Sequence, residues 1–216
     1  MIRKGIVIAV LSLIGVQSFA QANPDAITLE KKIIDRAKIM NDRSVLISSM
    51  YRLVALEGEQ STYKDSLAYI YYSTRNFTSA FLMADDALKR DPNNQSLIEI
   101  KAVSLESIGA LDKSLEEYQK LFALSKNNFH GYSVAKLQMA LKMNEEAYVT
   151  IQEVEKLNDE GKYKVNFNIN QNHQQQIELL AGIQYLKGLI EENLDKKTEA
   201  LASFQKALTI INACRF

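Results

Sequence analysis

Few residues of this sequence could carry out catalysis or bind a metal ion, and they are widely separated. His130 and His173 are the only histidines, and Cys214 is the only cysteine. A zinc site needs several nitrogen or sulfur ligands at close spacing, and an intramolecular disulfide needs two cysteines, so neither is predicted. Adjacent acids occur as Asp85-Asp86, Glu116-Glu117, Glu145-Glu146 and Glu191-Glu192. Neighbours on a helix point about 100° apart, so these pairs are expected on solvated faces.

Motifs for phosphate binding or for nucleophilic catalysis are also missing. The sequence contains no Gly-rich phosphate loop and no G-x-S-x-G motif. We therefore predict a non-enzymatic protein with no cofactor and no metal. Binding to another molecule is then the chemistry that is left to this chain.

The composition favours helices and argues against nucleic acid as a partner. The chain of 216 residues has only 8 Gly and 2 Pro, so it lacks the turn residues that many short strands require. Hydrophobic residues make up 47% and charged residues 24%, which is typical of a globular protein. The 26 basic and 26 acidic residues give a net charge of zero, which disfavours binding by counterion release. These numbers predict a mostly helical fold.

Residues 1–20 have the pattern of an export signal. A basic start over 1–4 precedes an apolar run over 5–16, and Ser-Phe-Ala at 18–20 places small residues where signal peptidase reads. A helix of twelve residues spans about 18 Å, short of the roughly 30 Å of a bilayer core. We therefore expect cleavage after Ala20, no integral membrane segment afterwards, and a periplasmic or extracellular location in a bacterium. The alternative is an uncleaved anchor that extends through Ala22.

A repeat of about 34 residues follows. Aligned positions include Ala68 with Ala102, Ala80 with Ser114, Ala84 with Tyr118, and Leu105 with Met139. Within each period, apolar residues recur at intervals of three and four in two runs, separated by a short polar break, which predicts two helices joined by a turn. Pro92 cannot continue a helix, so it ends the first unit.

These units resemble the tetratricopeptide repeat family. Over 61–94 the matching residues are Leu67, Ala68, Tyr71, Ala80, Ala87 and Pro92. The resemblance implies an all-α fold, a right-handed superhelix (α-solenoid) of stacked helix pairs. Its predicted parts are a divergent helical pair over 21–60, three repeats over 61–161, an insertion over 162–176, and a C-terminal repeat over 177–212. Three residues depart from the family pattern: Lys101 and Lys187 replace large apolar residues, and Glu191 replaces an aromatic residue.

The segment over 162–170 does not fit the helical pattern. Apolar and polar residues alternate strictly in KYKVNFNIN, which predicts a short inserted β segment. An unusually long helix is then expected over about 172–193. The inserted segment is expected either to pack its apolar side on the last helical pair or to offer an edge to a partner.

The resemblance also implies a binding groove, because the first helices of such repeats line a concave face. On this chain that face carries Asp65, Tyr69, Tyr72, Glu99, Val103, Glu106, Ser133 and Leu137. The Lys/Asn set with which chaperone-binding members hold a terminal carboxylate is absent. Two tyrosines and three carboxylates favour a basic or amphipathic peptide. The alternative is that these residues are solvated parts of a scaffold whose contact surface lies elsewhere.

A second surface is expected near the end of the sequence. Leu208, Ile211 and Phe216 give the last helix an apolar face, and no polar capping helix follows in this sequence. We expect self-association or partner docking there. The function predicted is an exported scaffold that binds proteins or peptides, and the alternative is an exported subunit for a small-molecule or glycan ligand.

Overall fold

The computed structural model describes residues 24–157, 163–170 and 173–213, so the predicted signal segment, Cys214 and Phe216 lie outside it. The helices are α1 (Pro24–Ile39), α2 (Arg43–Glu57), α3 (Tyr63–Ser73), α4 (Phe77–Leu88), α5 (Gln95–Ser107), α6 (Leu111–Ser125), α7 (Asn128–Ala140), α8 (Asn144–Glu155), α9 (Leu179–Asn193) and α10 (Lys197–Ala213). The strands are β1 (Lys164–Asn170) and β2 (His173–Glu178), and a 3₁₀ turn covers Gly58–Gln60.

The chain divides into two compact units, of which the first ends at Glu57. In its described part, α1 and α2 pack on each other. Arg52 of α2 forms an ion pair with Glu30 of α1, with 3.2 Å between Nη1 and Oε1. Ile34 and Leu53 are buried, so one face of each helix contributes apolar side chains to a core.

The second unit begins at Gly58 and consists of helix pairs that stack in sequence order. Helices α3 and α4, α5 and α6, α7 and α8, and α9 and α10 pack as pairs, and the second helix of each pair packs on the first helix of the next. The core between them contains alanines that are fully buried, such as Ala68, Ala80 and Ala102. Small side chains let neighbouring helices approach closely, which is how such pairs bury their faces. This confirms the predicted all-α solenoid.

The turn inside each pair has the same backbone geometry four times. The residue after each C-cap has a positive φ, at Arg75, Gly109, Lys142 and Asp195. The next amide in each turn donates to a carbonyl five residues earlier, as Ala110 N does to Leu105 O at 2.9 Å. This left-handed ending satisfies helix carbonyls that have no partner inside the helix. The repeated turn fixes how the second helix folds back on the first.

Close approach in the last pair depends on Gly188. A Cβ atom at that position would lie 2.5 Å from Cε1 of Phe204, so α9 and α10 could not pack as they do. Glu191, one turn further along α9, is only 2% exposed and accepts a hydrogen bond of 2.7 Å from the Ser203 hydroxyl of α10. The departure from the aromatic family pattern therefore places a hydrogen-bonded carboxylate inside this pair.

Lysines stand in place of apolar residues on two first helices, where carboxylates of neighbouring helices pair with them. Lys101 of α5 lies 2.6 Å from both Asp85 of α4 and Glu117 of α6. Lys187 of α9 lies 2.6 Å from Glu155 of α8. Their side chains are mostly buried, so the stems cover apolar surface while the ammonium groups reach a carboxylate. The ion pairs link successive helices of the stack.

Strands β1 and β2 form an antiparallel pair between α8 and α9. We call this pair of strands the hairpin. The predicted β segment is confirmed, but the long helix expected over 172–193 is wrong, because β2 occupies its first part and α9 begins at Leu179. Ile177 pairs across the hairpin with Val165, and both are buried. Backbone pairing with β1 therefore overrides any helical tendency of the glutamine run at 174–176. The side chain of Val165 contacts Gly182, so the hairpin packs its apolar side on α9.

Candidate binding cleft

The first helices of three successive pairs and the hairpin together line a cleft of about 380 Å³ in the second unit. Its lining residues come from α3, α5, α6, α7 and β1: Tyr72, Glu99, Val103, Glu106, Tyr118, Phe129, Tyr132, Ser133, Lys136, Lys164, Val165 and Asn166. We call this set the cleft. Four of its members are aromatic and four are charged, a combination that suits a ligand with both apolar and charged groups.

The structure brings together five of the eight residues expected in the groove. Tyr72, Glu99, Val103, Glu106 and Ser133 all line the cleft. They come from three helices that lie side by side because successive pairs stack. Ser133 is 3% exposed and its hydroxyl donates to the Phe129 carbonyl at 3.0 Å, so it contributes little free polar surface.

The other three expected residues do not line the cleft. Leu137 is 1% exposed, which corrects its expected place on the groove: it lies in the core between helix pairs. The Asp65 carboxylate accepts two hydrogen bonds from the Arg90 guanidinium, at 2.6 and 2.7 Å, and therefore already has a cationic partner. Tyr69 is 64% exposed and lies outside the cleft.

Most charges of the cleft are already paired. Glu106 lies 2.7 Å from the ammonium of Lys136, and Lys164 lies 3.3 Å from Glu178 on β2. Glu99 has no hydrogen-bond or ion-pair partner among the residues that the structure describes. Its partial burial raises the pKa of Glu99 above the ordinary glutamate value, because burial penalises the charged form. The cleft therefore keeps one uncompensated carboxylate.

The carboxylates of the cleft act on its tyrosines, and the charge of Glu99 reaches Tyr72 and Tyr118. Burial and then the charge of Glu99 raise the pKa of Tyr72. Burial, followed by the charge of Glu106, raises the pKa of Tyr132 to about 12. These phenols therefore stay protonated at physiological pH and can donate hydrogen bonds while their rings offer flat apolar surface.

Sequence reasoning missed the residues that close the cleft from the other side. Tyr118 belongs to a second helix, which the family resemblance did not place on the groove. Phe129, Tyr132 and Lys136 share one face of α7, and their spacing of three and four residues was the available signal. The approach of residues 164–166 to the cleft had no signal in the sequence, because it depends on how the hairpin docks.

Of the two histidines, only His130 has a side chain that the structure describes. His130 is buried, its Nδ1 lies 2.8 Å from the Ser125 hydroxyl, and burial lowers the pKa of His130. The side chain of His173 lies outside the described part of the chain. Among the described residues, no group of three or more His, Cys, Asp or Glu side chains could hold a metal ion. In the same residues, no helix has both the length and the apolar character needed to cross a membrane.

The second expected surface lies on α10. Leu208 and Leu201 are each 59% exposed, and Ile211 is partly buried beside the hairpin. A shallow apolar groove of about 480 Å³ runs along α9 and α10 and includes Leu180 and Ile210. We call Leu201, Leu208 and this groove the α10 surface. Phe216, the third residue expected there, lies beyond the described residues.

Solved structures with the same arrangement of helix pairs cover most of the chain. MamA from Desulfovibrio magneticus RS-1 superposes with a TM-score of 0.65 over 88% of this chain and 97% of that one, at 14% sequence identity. YrrB, a TPR protein with an unusual peptide-binding site, superposes with a TM-score of 0.65 over 89% of this chain and 88% of that one, at 16% identity.

The chain has the tetratricopeptide-repeat fold. No protein-family model matches the sequence, and no curated protein matches it. Low identity to the solved structures fits this result, since a tetratricopeptide-repeat fold needs only small and apolar residues at a few positions of each unit. In this chain the fold also carries an inserted hairpin that becomes one wall of its cleft.

Proposed function

We propose that this chain is an exported, non-enzymatic scaffold that binds a peptide segment of another protein in the cleft. One observation carries the proposal: Glu99 is partly buried in a cleft lined by tyrosines and has no cationic partner among the residues that the structure describes. An uncompensated carboxylate in such surroundings destabilises the free protein and is compensated when a ligand brings a positive charge. The fold supports the proposal, because YrrB, which shares it, is a TPR protein with a peptide-binding site.

The expected ligand is a peptide with a lysine or arginine next to an aromatic or aliphatic residue. The basic side chain would pair with Glu99, and the apolar one would pack on the rings of Tyr72 and Tyr132. An acidic peptide is disfavoured, because the uncompensated Glu99 would repel it, while Lys136 and Lys164 already have carboxylate partners. Charge complementarity thus selects the peptide.

A random dodecapeptide library displayed on phage and selected on the purified chain tests this proposal. We expect the enriched peptides to contain a basic residue and to lose at least tenfold in affinity for the Glu99→Gln variant, as expected for a charge-assisted hydrogen bond. The matched control is Glu146→Gln, which removes the same charge from an exposed position on α8. Enriched peptides that bind the Glu99→Gln variant as well as the parent, or no enrichment at all, would contradict the proposal.

Export is a separate part of the proposal and rests on the pattern of residues 1–20. Expression of the full chain in a bacterium, followed by cell fractionation and N-terminal sequencing, tests it. We expect a periplasmic product that begins at Gln21. A cytoplasmic product that keeps Arg3 and Lys4 would contradict export.

A further inference from the structure

We infer that the cleft holds its peptide in an extended conformation, paired by backbone hydrogen bonds to the outer edge of β1. This inference rests on the proposed function, which it deepens by assigning the binding mode. Its first support is that three consecutive residues of β1, Lys164, Val165 and Asn166, all line the cleft. Side chains of consecutive strand residues point to opposite faces of a sheet. A cleft that runs along the edge of the strand meets all three, because both faces share that edge.

The register of the hairpin shows which backbone groups point to that edge. The Leu179 amide donates to the Tyr163 carbonyl at 3.0 Å, and the pairing continues with Lys164 opposite Glu178 and Val165 opposite Ile177. In an antiparallel pair, residues that exchange backbone hydrogen bonds alternate with residues that do not. The positions that exchange bonds with β2 are therefore 163, 165 and 167.

The amide and carbonyl groups of Lys164 and Asn166 consequently point away from β2. The structure shows no backbone partner for them among the residues that it describes. A strand edge of this kind pairs readily with an added strand, as in β-strand addition of peptides. Two residues supply two amide donors and two carbonyl acceptors, enough to bind a peptide strand of about four residues.

The surroundings of this edge fit an extended peptide that carries a positive charge. Glu99 and Tyr132 line the same cleft as the edge. Alternate side chains of an added strand would point to opposite sides, so one set could reach the cleft while the other faced solvent. The hairpin is held firmly enough to act as a template, because Val165 packs on Gly182 and Tyr163 stacks on Phe129.

The test uses a library peptide whose binding depends on Glu99 and follows amide hydrogen exchange by NMR. We expect saturation with the peptide to slow exchange of the Lys164 and Asn166 amides at least tenfold. The Val165 and Phe167 amides, which already pair with β2, should change much less. Equal protection of all four amides, or of none, would overturn the inference while the proposed function stands.

Two variants of the edge provide an independent measurement. Asn166→Pro removes the outward amide without breaking a bond to β2, since edge positions of this kind tolerate proline. We expect it to weaken peptide binding at least tenfold, and clearly more than Asn166→Ala, which keeps the amide. Amide N-methylation at alternate positions of the peptide should cause a similar loss and needs no change to the protein. Equal affinity of both variants, with N-methylation without effect, would overturn the inference.

Other occupants of the edge give different results. If another segment of the same chain pairs with β1, the Lys164 and Asn166 amides will be protected without peptide at every protein concentration. If a second copy pairs with it, that protection will increase with protein concentration. Either result overturns the inference. If no library peptide depends on Glu99, the proposed function fails and this inference fails with it.

Discussion

Tyr163 stacks on Phe129 with ring centroids 5.2 Å apart and planes 14° from parallel. The same tyrosine accepts a hydrogen bond of 2.9 Å from the Asn127 amide side chain, whose oxygen accepts from the Phe129 backbone amide at 2.8 Å. One asparagine therefore caps the start of α7 and holds the hairpin against it. The wall of the cleft that β1 provides depends on this contact.

Replacing Tyr163 should loosen the hairpin. We expect Tyr163→Ala to lower the free energy of unfolding by about 2 kcal/mol, because a half-buried ring and its stacking contact with Phe129 are lost. Tyr163→Phe keeps the ring and should cost about 1 kcal/mol for the lost hydrogen bond. Chemical denaturation gives both values, and hydrogen exchange of the Phe167 amide should accelerate more in the Ala variant. Equal effects of the two substitutions would show that the stack does not hold the hairpin.

Glu99 should make the stability of the free chain depend on pH. Its folded-state pKa is raised by burial, so the charged form costs stability in the folded state. That cost is absent when the pH is below the pKa of Glu99 in the unfolded chain. It grows as the pH rises through the pKa of Glu99 in the folded chain, and it is complete above that value. We therefore expect Glu99→Gln to raise the Tm by a few degrees at about pH 8 and to leave it unchanged at about pH 3. Thermal melting of this variant beside Glu146→Gln measures the effect, and equal melting profiles would contradict it.

Substitutions in two of the left-handed turns should change the stability of the fold in opposite directions. Gly109 has φ +82° and open space around a Cβ atom, so Gly109→Ala adds backbone strain without a clash. We expect this variant to lose about 1 kcal/mol of stability. Lys142 occupies the equivalent turn with φ +63°, and Lys142→Gly should gain about 0.5 kcal/mol. Urea denaturation measures both, and a gain for Gly109→Ala would contradict the turn argument.

We expect a second copy of the chain to bind to the α10 surface. Leu208 is 59% exposed, so Leu208→Lys places a charge on this surface without disturbing the core. We expect the parent chain to form a dimer at high concentration and the variant to remain monomeric, as measured by sedimentation velocity. Gln205→Lys adds the same charge one turn away at a residue that is already polar and exposed, and should weaken the dimer less. A parent chain that is monomeric at every concentration would contradict this expectation.

Much of the helical architecture could be predicted because its causes are local. The 34-residue spacing, the small residues such as Ala68 and Ala102, and the stop at Pro92 each act within one repeat. Strand β1 was predictable for the same reason, since alternation is a property of adjacent residues. The second strand was missed because Gln174, Gln175 and Gln176 show no alternation and become strand only by pairing with β1.

The cleft was predictable only in part. The matching positions of the tetratricopeptide repeat placed Tyr72, Glu99 and Glu106 on the groove, and all three line the cleft. These positions could be predicted because they follow from helix periodicity. It misplaced Leu137, because whether a residue at the edge of a helix face is covered depends on the packing of the next pair. No local pattern could show that the hairpin would contribute Lys164 and Asn166 to the same surface.

By itself the sequence determined that two-helix units repeat and stack, because capping, turn geometry and apolar spacing act over a few residues. Only the tertiary structure decided which charges are compensated. Lys136 finds Glu106 and Arg90 finds Asp65 across distances of 25 to 30 residues, while Glu99 is left without a partner among the described residues. The attraction between two charges weakens with the distance between them, and that distance is set by how the helices pack. The unpaired carboxylate on which the proposed function rests is therefore a property of the fold and not of any motif.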